Sequence, residues 1–395
     1  MVRGWTVFGK SGCGECRGVV KCIPTAEFHY LNCDSYLHCA RESFLVHLSG
    51  LCGIDVSRFP LVFRDGKYVG GDVASVKNAL RSIHRLFPIV DTASWSFYQR
   101  QRDSFWTVQE VDFSQDGTDV LLMTPVERGV LLHILGFFAS SDSVVNERLV
   151  LGLFEDAPSS EARMFLTMQM CIESIHQEMY NSLLDVLVKD EAERDKLFNS
   201  IVTMPVIKAK SDWYGRMSSG ASYSQRLAVQ AIVEGLLFSA SFAFIFYLKQ
   251  LTKFRGKFQG LVLSNDFISR DEALHMQFSV MLYNRLADSD RLTDVGIHEL
   301  IGQAVELECA FIHEAFDERG MLGLTAGVLC TYVEFVADFL LTSMRHAKKY
   351  EVDNPLPYME NLGLERKTNF FESRVSEYGK INDSIPDQLT FDADF

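Results

Sequence analysis

Glu173-Ser174-Ile175-His176-Gln177-Glu178-Met179-Tyr180 lies inside an apolar-periodic run from about Ser160 to Val188 that holds no proline or glycine. Such a run predicts one long helix. On it Glu173 and His176 are three residues apart and Tyr180 is four beyond His176, so all three share a face. A carboxylate and an imidazole at that spacing can bind one metal ion. Glu272-Ala273-Leu274-His275 repeats the pattern further along.

Two Glu-x-x-His pairs on separate helices are what di-iron and di-manganese bundles use, together with one carboxylate from each of two more helices. Leu227 to Leu248 offers one of these, because Glu234 is its only charged residue. A lone buried carboxylate is costly unless paired or coordinated, which favours a ligand over a stray core acid. The segment is long enough to span a bilayer. An intramembrane Glu234 would need a partner, and no second segment is comparable, so a buried bundle helix is expected. Asp271 points about 100° away from Glu272 around its helix. It is placed either to accept a hydrogen bond from the second nitrogen of His176 or to pair with Arg270 at the surface.

The chain has 395 residues, 47% of them apolar, which is room for two domains and a sizeable core. Its net charge of −14 argues against a nucleic-acid partner. Met1 to Phe8 carries no secretory pattern. Six of nine cysteines fall in the first 52 residues, and the other three, Cys171, Cys309 and Cys330, are expected to be inert core thiols. An odd count without a leader suggests a reducing compartment, hence the cytoplasm.

Residues 1–86 read as an α/β domain. A strand at Trp5 to Phe8 precedes Cys13-Gly14-Glu15-Cys16 and a helix, and a second strand follows at Phe28 to Leu31. Asp65-Gly66 joins two more strands, and a helix runs from about Val73 to Arg85. The order β-α-β-α-β-β-α with this Cys-x-x-Cys resembles glutaredoxin, a thioredoxin-like fold. The resemblance implies a cis bond at Phe59-Pro60 facing the thiols, a glutathione-holding turn at Gly70-Gly71-Asp72, Cys13 as nucleophile and Cys16 as resolving thiol. A helix N-terminus lowers a thiol pKa. The family usually has Pro-Tyr where this chain has Gly14-Glu15, and an acidic neighbour is expected to oppose ionisation of Cys13.

From Phe87 onward the pattern is helical and resembles the small subunit of class I ribonucleotide reductase, eukaryotic type. The resemblance rests on Phe105-Trp106-Thr107-Val108-Gln109-Glu110-Val111-Asp112, on Gly136 to Glu147 with Asp142, on the opening stretch, on Glu234, and on Ser264 to His275. It implies a ferritin-like all-α di-iron bundle over 87–350 and a flexible tail over 351–395. Asp142, an acid that otherwise reads as ending its helix, becomes a ligand beside Glu173, His176, Glu234, Glu272 and His275. Two iron ions are implied, with manganese as the other candidate. Tyr180 becomes the radical site, walled by Phe238, Phe242 and Ile268. His176, Asp271, Trp106 and Tyr378 become a radical path to a large subunit, on which the tail Leu389 to Phe395 docks. A homodimer is expected, with no nucleic-acid or membrane partner, and the fused thiol domain is expected to supply electrons. A desaturase-like or hydroxylase-like di-iron oxidase would share the ligands but need neither Tyr180 nor the tail. A ferritin-like iron handler would be shorter.

Overall fold

The computed structural model describes residues 4–23, 28–64, 66–80, 86–148, 152–316 and 323–360; for residues 78, 80, 142–148 and 360 only the backbone is described. The chain divides into two compact units, Met1–Pro88 and Ile89–Phe395.

The first unit is built on a sheet of order β2-β1-β3-β4, with β1 at Trp5–Gly9, β2 at Phe28–Asn32, β3 at Leu61–Arg64 and β4 at Lys67–Gly70. β1 runs parallel to β2, in register Trp5 with Phe28, and antiparallel to β3, in register Val7 with Val62. Helices α1 (Gly14–Cys22), α2 (Asp34–Cys39), α3 (Arg41–Cys52) and α4 (Val73–Leu80) cover it. The period-two alternation of β3 sends Leu61 and Phe63 to a core shared with Leu48 of α3. Val62 goes to the other core, with Val7, Val19 of α1 and Val76 of α4. Two helices stand between β2 and β3 where one was expected. Asp65 and the end of the expected last helix, 81–85, lie outside the described residues.

The second unit is helical. In order come α5 (Thr92–Asp103), α6 (Asp116–Asp119), α7 (Pro125–Arg148), α8 (Ser160–Leu187), α9 (Glu191–Phe198), α10 (Ser200–Thr203) and α11 (Pro205–Ser218). Then follow α12 (Tyr223–Ile232), α13 (Ser239–Gln250), α14 (Gln259–Asn284), α15 (Asp294–Ala315), α16 (Ala326–Ser343) and α17 (Pro357–Glu360). Ser159 caps α8, its hydroxyl accepting from the Ala162 N–H at 3.0 Å. Phe165, Gln169, Glu173, His176, Tyr180 and Leu184 form one buried stripe along α8, so the chemistry sits on the face that packs. Asp91 caps α5 and also accepts both terminal nitrogens of Arg285 at 3.0 Å and the Ser159 hydroxyl at 2.9 Å. One carboxylate thus ties together the ends of α5, α8 and α14.

Three expectations need correction. The apolar segment around Glu234 is not one α-helix, because Val233–Leu237 between α12 and α13 forms a π-helical turn. A Cβ on Gly235 would lie 2.8 Å from Met276 Cγ, so glycine is what lets α14 approach this turn. Asp142 does not end its helix, since α7 continues to Arg148. Finally, α16 is a second stretch long and apolar enough to cross a membrane, alongside Tyr223–Gln250. The latter is packed inside the bundle, as expected of a core helix.

Candidate metal centre

α8, the π turn and α14 converge on one point. Glu173, Glu234, Glu272 and His275 each direct a ligand atom there, all within 4.8 Å of one another, and all four side chains are buried. His176 joins from one turn along α8, with Nδ1 3.4 Å from Glu173 Oε2 and 3.1 Å from Glu272 Oε1. His275 Nδ1 lies 2.9 Å from Glu173 Oε1 and 3.1 Å from Glu272 Oε2. Both imidazoles therefore aim Nδ1 inward and Nε2 outward. The i, i+3 spacing read from the sequence does bring each Glu beside its His. Asp142 lies in α7, and its side chain is outside the described residues.

The electrostatics demand cations. Burial alone lowers a histidine pKa. Here it is overridden: the carboxylates of Asp271, Glu173 and Glu272 packed around it hold His176 well above its usual range, and the charge of Glu173, then Glu272, lifts His275 to about 9. Burial, then the charges of Glu272 and Glu173, push Glu234 well above the carboxylate range, while the histidines hold Glu272 below it against burial. Protons are doing the work that metal charge would do. Among the described residues, both Glu173 oxygens, Glu234 Oε2 and His176 Nδ1 are buried in close mutual contact without a well-aligned hydrogen bond. Buried lone pairs converging without donors fit a hard-cation site with one nitrogen per metal.

Outer groups hold the ligands in place. His176 Nε2 donates to Asp271 Oδ2 at 3.3 Å, and the same oxygen accepts the indole N–H of Trp106 at 2.8 Å. Arg270 binds the other oxygen, Nη2 to Oδ1 at 3.1 Å, so Asp271 meets both expected partners, but as a buried group and not as a surface charge. Burial opposes ionisation of Asp271, but Arg270 and His176 keep its pKa low. Gln169 Nε2 donates to Glu234 Oε1 at 2.8 Å, and Gln230 donates to the same oxygen. The Gln101 amide meets His275 Nε2. The atom placed against it is Gln101 Nε2, so the contact is satisfied only with the amide turned over, its oxygen then accepting from the His275 Nε2 proton that remains when Nδ1 faces the carboxylates. These three glutamines were missed. Only Gln230, a polar residue in an apolar run, gave a signal in the sequence.

Tyr180 is 2% exposed. Its ring stacks on Phe138 at 4.5 Å and 8°, and Phe138 in turn contacts Phe242 at 5.1 Å and Phe238 at 5.8 Å. Ile268 is fully buried. Phe138, one turn before Asp142 on α7, thus covers a face of the Tyr180 ring, and sequence reasoning did not name it. Tyr378 and the tail lie outside the described residues.

In the first unit, Cys13 caps α1, its sulfur accepting the Cys16 N–H at 3.3 Å. Its own thiol points to the Phe59 carbonyl oxygen at 3.8 Å, beside the cis Phe59–Pro60 bond. The Cys16 thiol and N–H hold Cys13 below the usual thiol range, while burial pushes Cys16 up to about 11. Cys13 is held low with the acidic Glu15 beside it, and the Glu15 backbone N–H adds to the lowering. A Cβ on Gly71 would lie 2.5 Å from the Pro60 carbonyl oxygen, which reserves that position for glycine. Asp72 accepts the Ser75 N–H at 2.7 Å and so caps α4.

Residues 83–355 match the family model "Ribonucleotide reductase, small chain". The chain is 41% identical over 315 residues to rat ribonucleoside-diphosphate reductase subunit M2, covering 78% of this chain and 79% of that one. The chain belongs to the ribonucleotide reductase small-chain family. The vaccinia virus (strain Ankara) ribonucleoside-diphosphate reductase small chain is 42% identical over 313 residues, 78% of this chain and 96% of its own. Among solved structures, the yeast (Saccharomyces cerevisiae) ribonucleotide reductase Rnr4 homodimer matches with a TM-score of 0.62 at 28% identity, over 75% of this chain and 89% of that one. The bundle is thus the ferritin-like fold of reductase small subunits, and its buried Glu/His cluster fits that family's two-metal site. The family match begins at residue 83, beyond the last strand and helix of the sheet unit described above.

Proposed function

We propose that this ribonucleotide reductase small chain holds two iron ions among Asp142, Glu173, His176, Glu234, Glu272 and His275 and keeps a stable radical on Tyr180. When bound, the iron pair supplies oxygen reduction and with it an oxidant strong enough to take one electron from a phenol. The observation that carries the reading is the placement of Tyr180. It shares a helix face with Glu173 and His176, is 2% exposed, and stacks on Phe138 at 4.5 Å. Apolar walls keep water and reductants from the ring.

The continuous contacts from His176 to Asp271 to Trp106, at 3.3 Å and 2.8 Å, support a path for the electron hole out of the site. Tyr378 and the aromatic-acidic tail Leu389 to Phe395 complete it, the tail docking on the reductase large subunit, where the nucleotide is reduced. A cytoplasmic homodimer follows the same reading, the yeast relative being described as a homodimer. Manganese suits the same donors. The sheet unit acts as a glutaredoxin-like electron donor: Cys13 attacks the disulfide left on the large subunit, Cys16 resolves it, and glutathione bound near Pro60, Gly71 and Asp72 restores the thiols. Tethering raises the local concentration of the donor.

The test is Tyr180→Phe. The variant should bind two metals per chain yet show no tyrosyl signal by electron paramagnetic resonance after iron and oxygen are added. A normal signal in that variant overturns the assignment.

A further inference from the structure

Glu234 is gripped from outside the cluster. Its Oε1 accepts the Gln169 amide of α8 at 2.8 Å and also the Gln230 amide, from one turn earlier on its own segment. Its Oε2 is buried without a well-aligned hydrogen bond among the described residues. One oxygen is thus taken up by donors, and the other is left for a cation.

Gln230 is in turn held by Tyr214 of α11, whose hydroxyl donates to the amide oxygen. Tyr214, Gln230 and Glu234 are 4%, 1% and 2% exposed, so the chain from hydroxyl to amide to carboxylate runs through dry interior. A glutamine amide has a donor end and an acceptor end. Beside an ionised carboxylate only the donor end is favourable. The acceptor end then needs a donor of its own, because a buried oxygen left unpaired is costly. The Tyr214 O–H meets that need. Without it the amide gains by swinging its oxygen toward another donor, which takes its N–H away from Glu234.

α11 holds the same segment at a second point. Lys210, one turn before Tyr214, donates to the Leu237 carbonyl at 3.2 Å, where the π turn ends. Residues four apart on a helix share a face, so one face of α11 holds the segment on both sides of Glu234.

We propose that Tyr214 is a positioning residue for the metal centre, fixing the Glu234 carboxylate through Gln230 so that Oε2 stays free for the cation. The inference rests on the reading of Glu234 as a metal ligand. Tyr214 acts through the amide and takes no part in holding the metal itself.

The test adds manganese(II) stepwise to the full metal-free chain in the absence of oxygen and reads the free ion by electron paramagnetic resonance; manganese suits this donor set. Tyr214→Phe keeps the ring and removes only the hydroxyl. It should weaken binding by about tenfold, the low end of what loss of a group behind a ligand costs. In a Gln230→Met chain, Tyr214→Phe should weaken binding no further, because the amide it acts through is gone. A merely structural loss would act equally in both backgrounds. Tyr214→Phe binding manganese like the native chain overturns the inference, and so does an equal loss with and without Gln230. A native chain that takes up no manganese overturns the metal reading, and this inference with it.

Discussion

Lys210 of α11 and Glu308 of α15 form an ion pair at 2.5 Å with side chains 3% and 0% exposed. Burial pushes Glu308 up to about 7 against the pull of Lys210, and pushes Lys210 down. Lys210 also stands 3.6 Å above the Phe137 ring and 3.9 Å above the Phe311 ring, and donates to the Leu237 carbonyl at 3.2 Å, where the π turn ends. Glu308→Leu strands an ammonium among aromatic rings, and breaking a buried pair in this way costs about 3–5 kcal/mol. Lys210→Met leaves a carboxyl that takes up a proton readily, so its cost is that of one poorly satisfied polar group, about 1–3 kcal/mol. The double variant Lys210→Met/Glu308→Leu leaves no charge and should be within about 1 kcal/mol of the native chain, or more stable. Calorimetric melting of the helical unit at fixed protein and metal concentration reads the difference. At roughly 2 °C per kcal/mol for a domain of this size, Glu308→Leu should lose about 6–10 °C and the double variant should recover most of it. A double variant that loses the sum of the two singles would falsify the coupling.

Three further outcomes are expected. Gln101→Leu removes the partner of His275 Nε2 and should weaken iron binding by about 10–100-fold in a titration, with little change in melting temperature when metal-free. Trp106→Phe breaks the 2.8 Å bond to Asp271 while sparing every ligand. It should keep the Tyr180 signal and abolish nucleotide reduction with the large subunit; retained turnover would remove Trp106 from the path. For the thiols, Cys13 is depressed and Cys16 raised. Iodoacetamide labelling of Cys13 should therefore be complete at a pH below the usual thiol range, while Cys16 reacts only as the pH approaches about 11. Equal profiles would contradict the capping geometry.

The buried Glu/His cluster was legible because both Glu-x-x-His pairs are local: three residues on a helix put the two groups side by side whatever the rest of the chain does. Glu234 was legible because a lone charge in an apolar run has few stable fates. Phe138 and Gln101 were not. Phe138 looks like any core phenylalanine, and Gln101 lies 174 residues from His275 on a helix whose packing no local pattern reveals. The π turn was hidden for a related reason, since one extra residue per turn leaves the apolar composition unchanged. No sequence pattern marks Lys210 or Glu308, and only the packing of α11 on α15 shows that they are sealed in. The four strands followed from the alternation and turn pattern, whereas the break between α2 and α3, at Ala40, carries neither proline nor glycine.

The converging carboxylates also set how long the chain survives in a cell. Without cations, Glu173, Glu234 and Glu272 repel one another in a dry interior, and the native state relies on borrowed protons. A ligand that binds only the folded chain stabilises it by about 4 kcal/mol once it is present at a thousand times its dissociation constant. That difference changes the fraction of chains open to proteases by roughly a thousandfold. The abundance of this subunit should therefore follow the supply of its metal after translation, with starved cells degrading it and replete cells accumulating it from the same messenger.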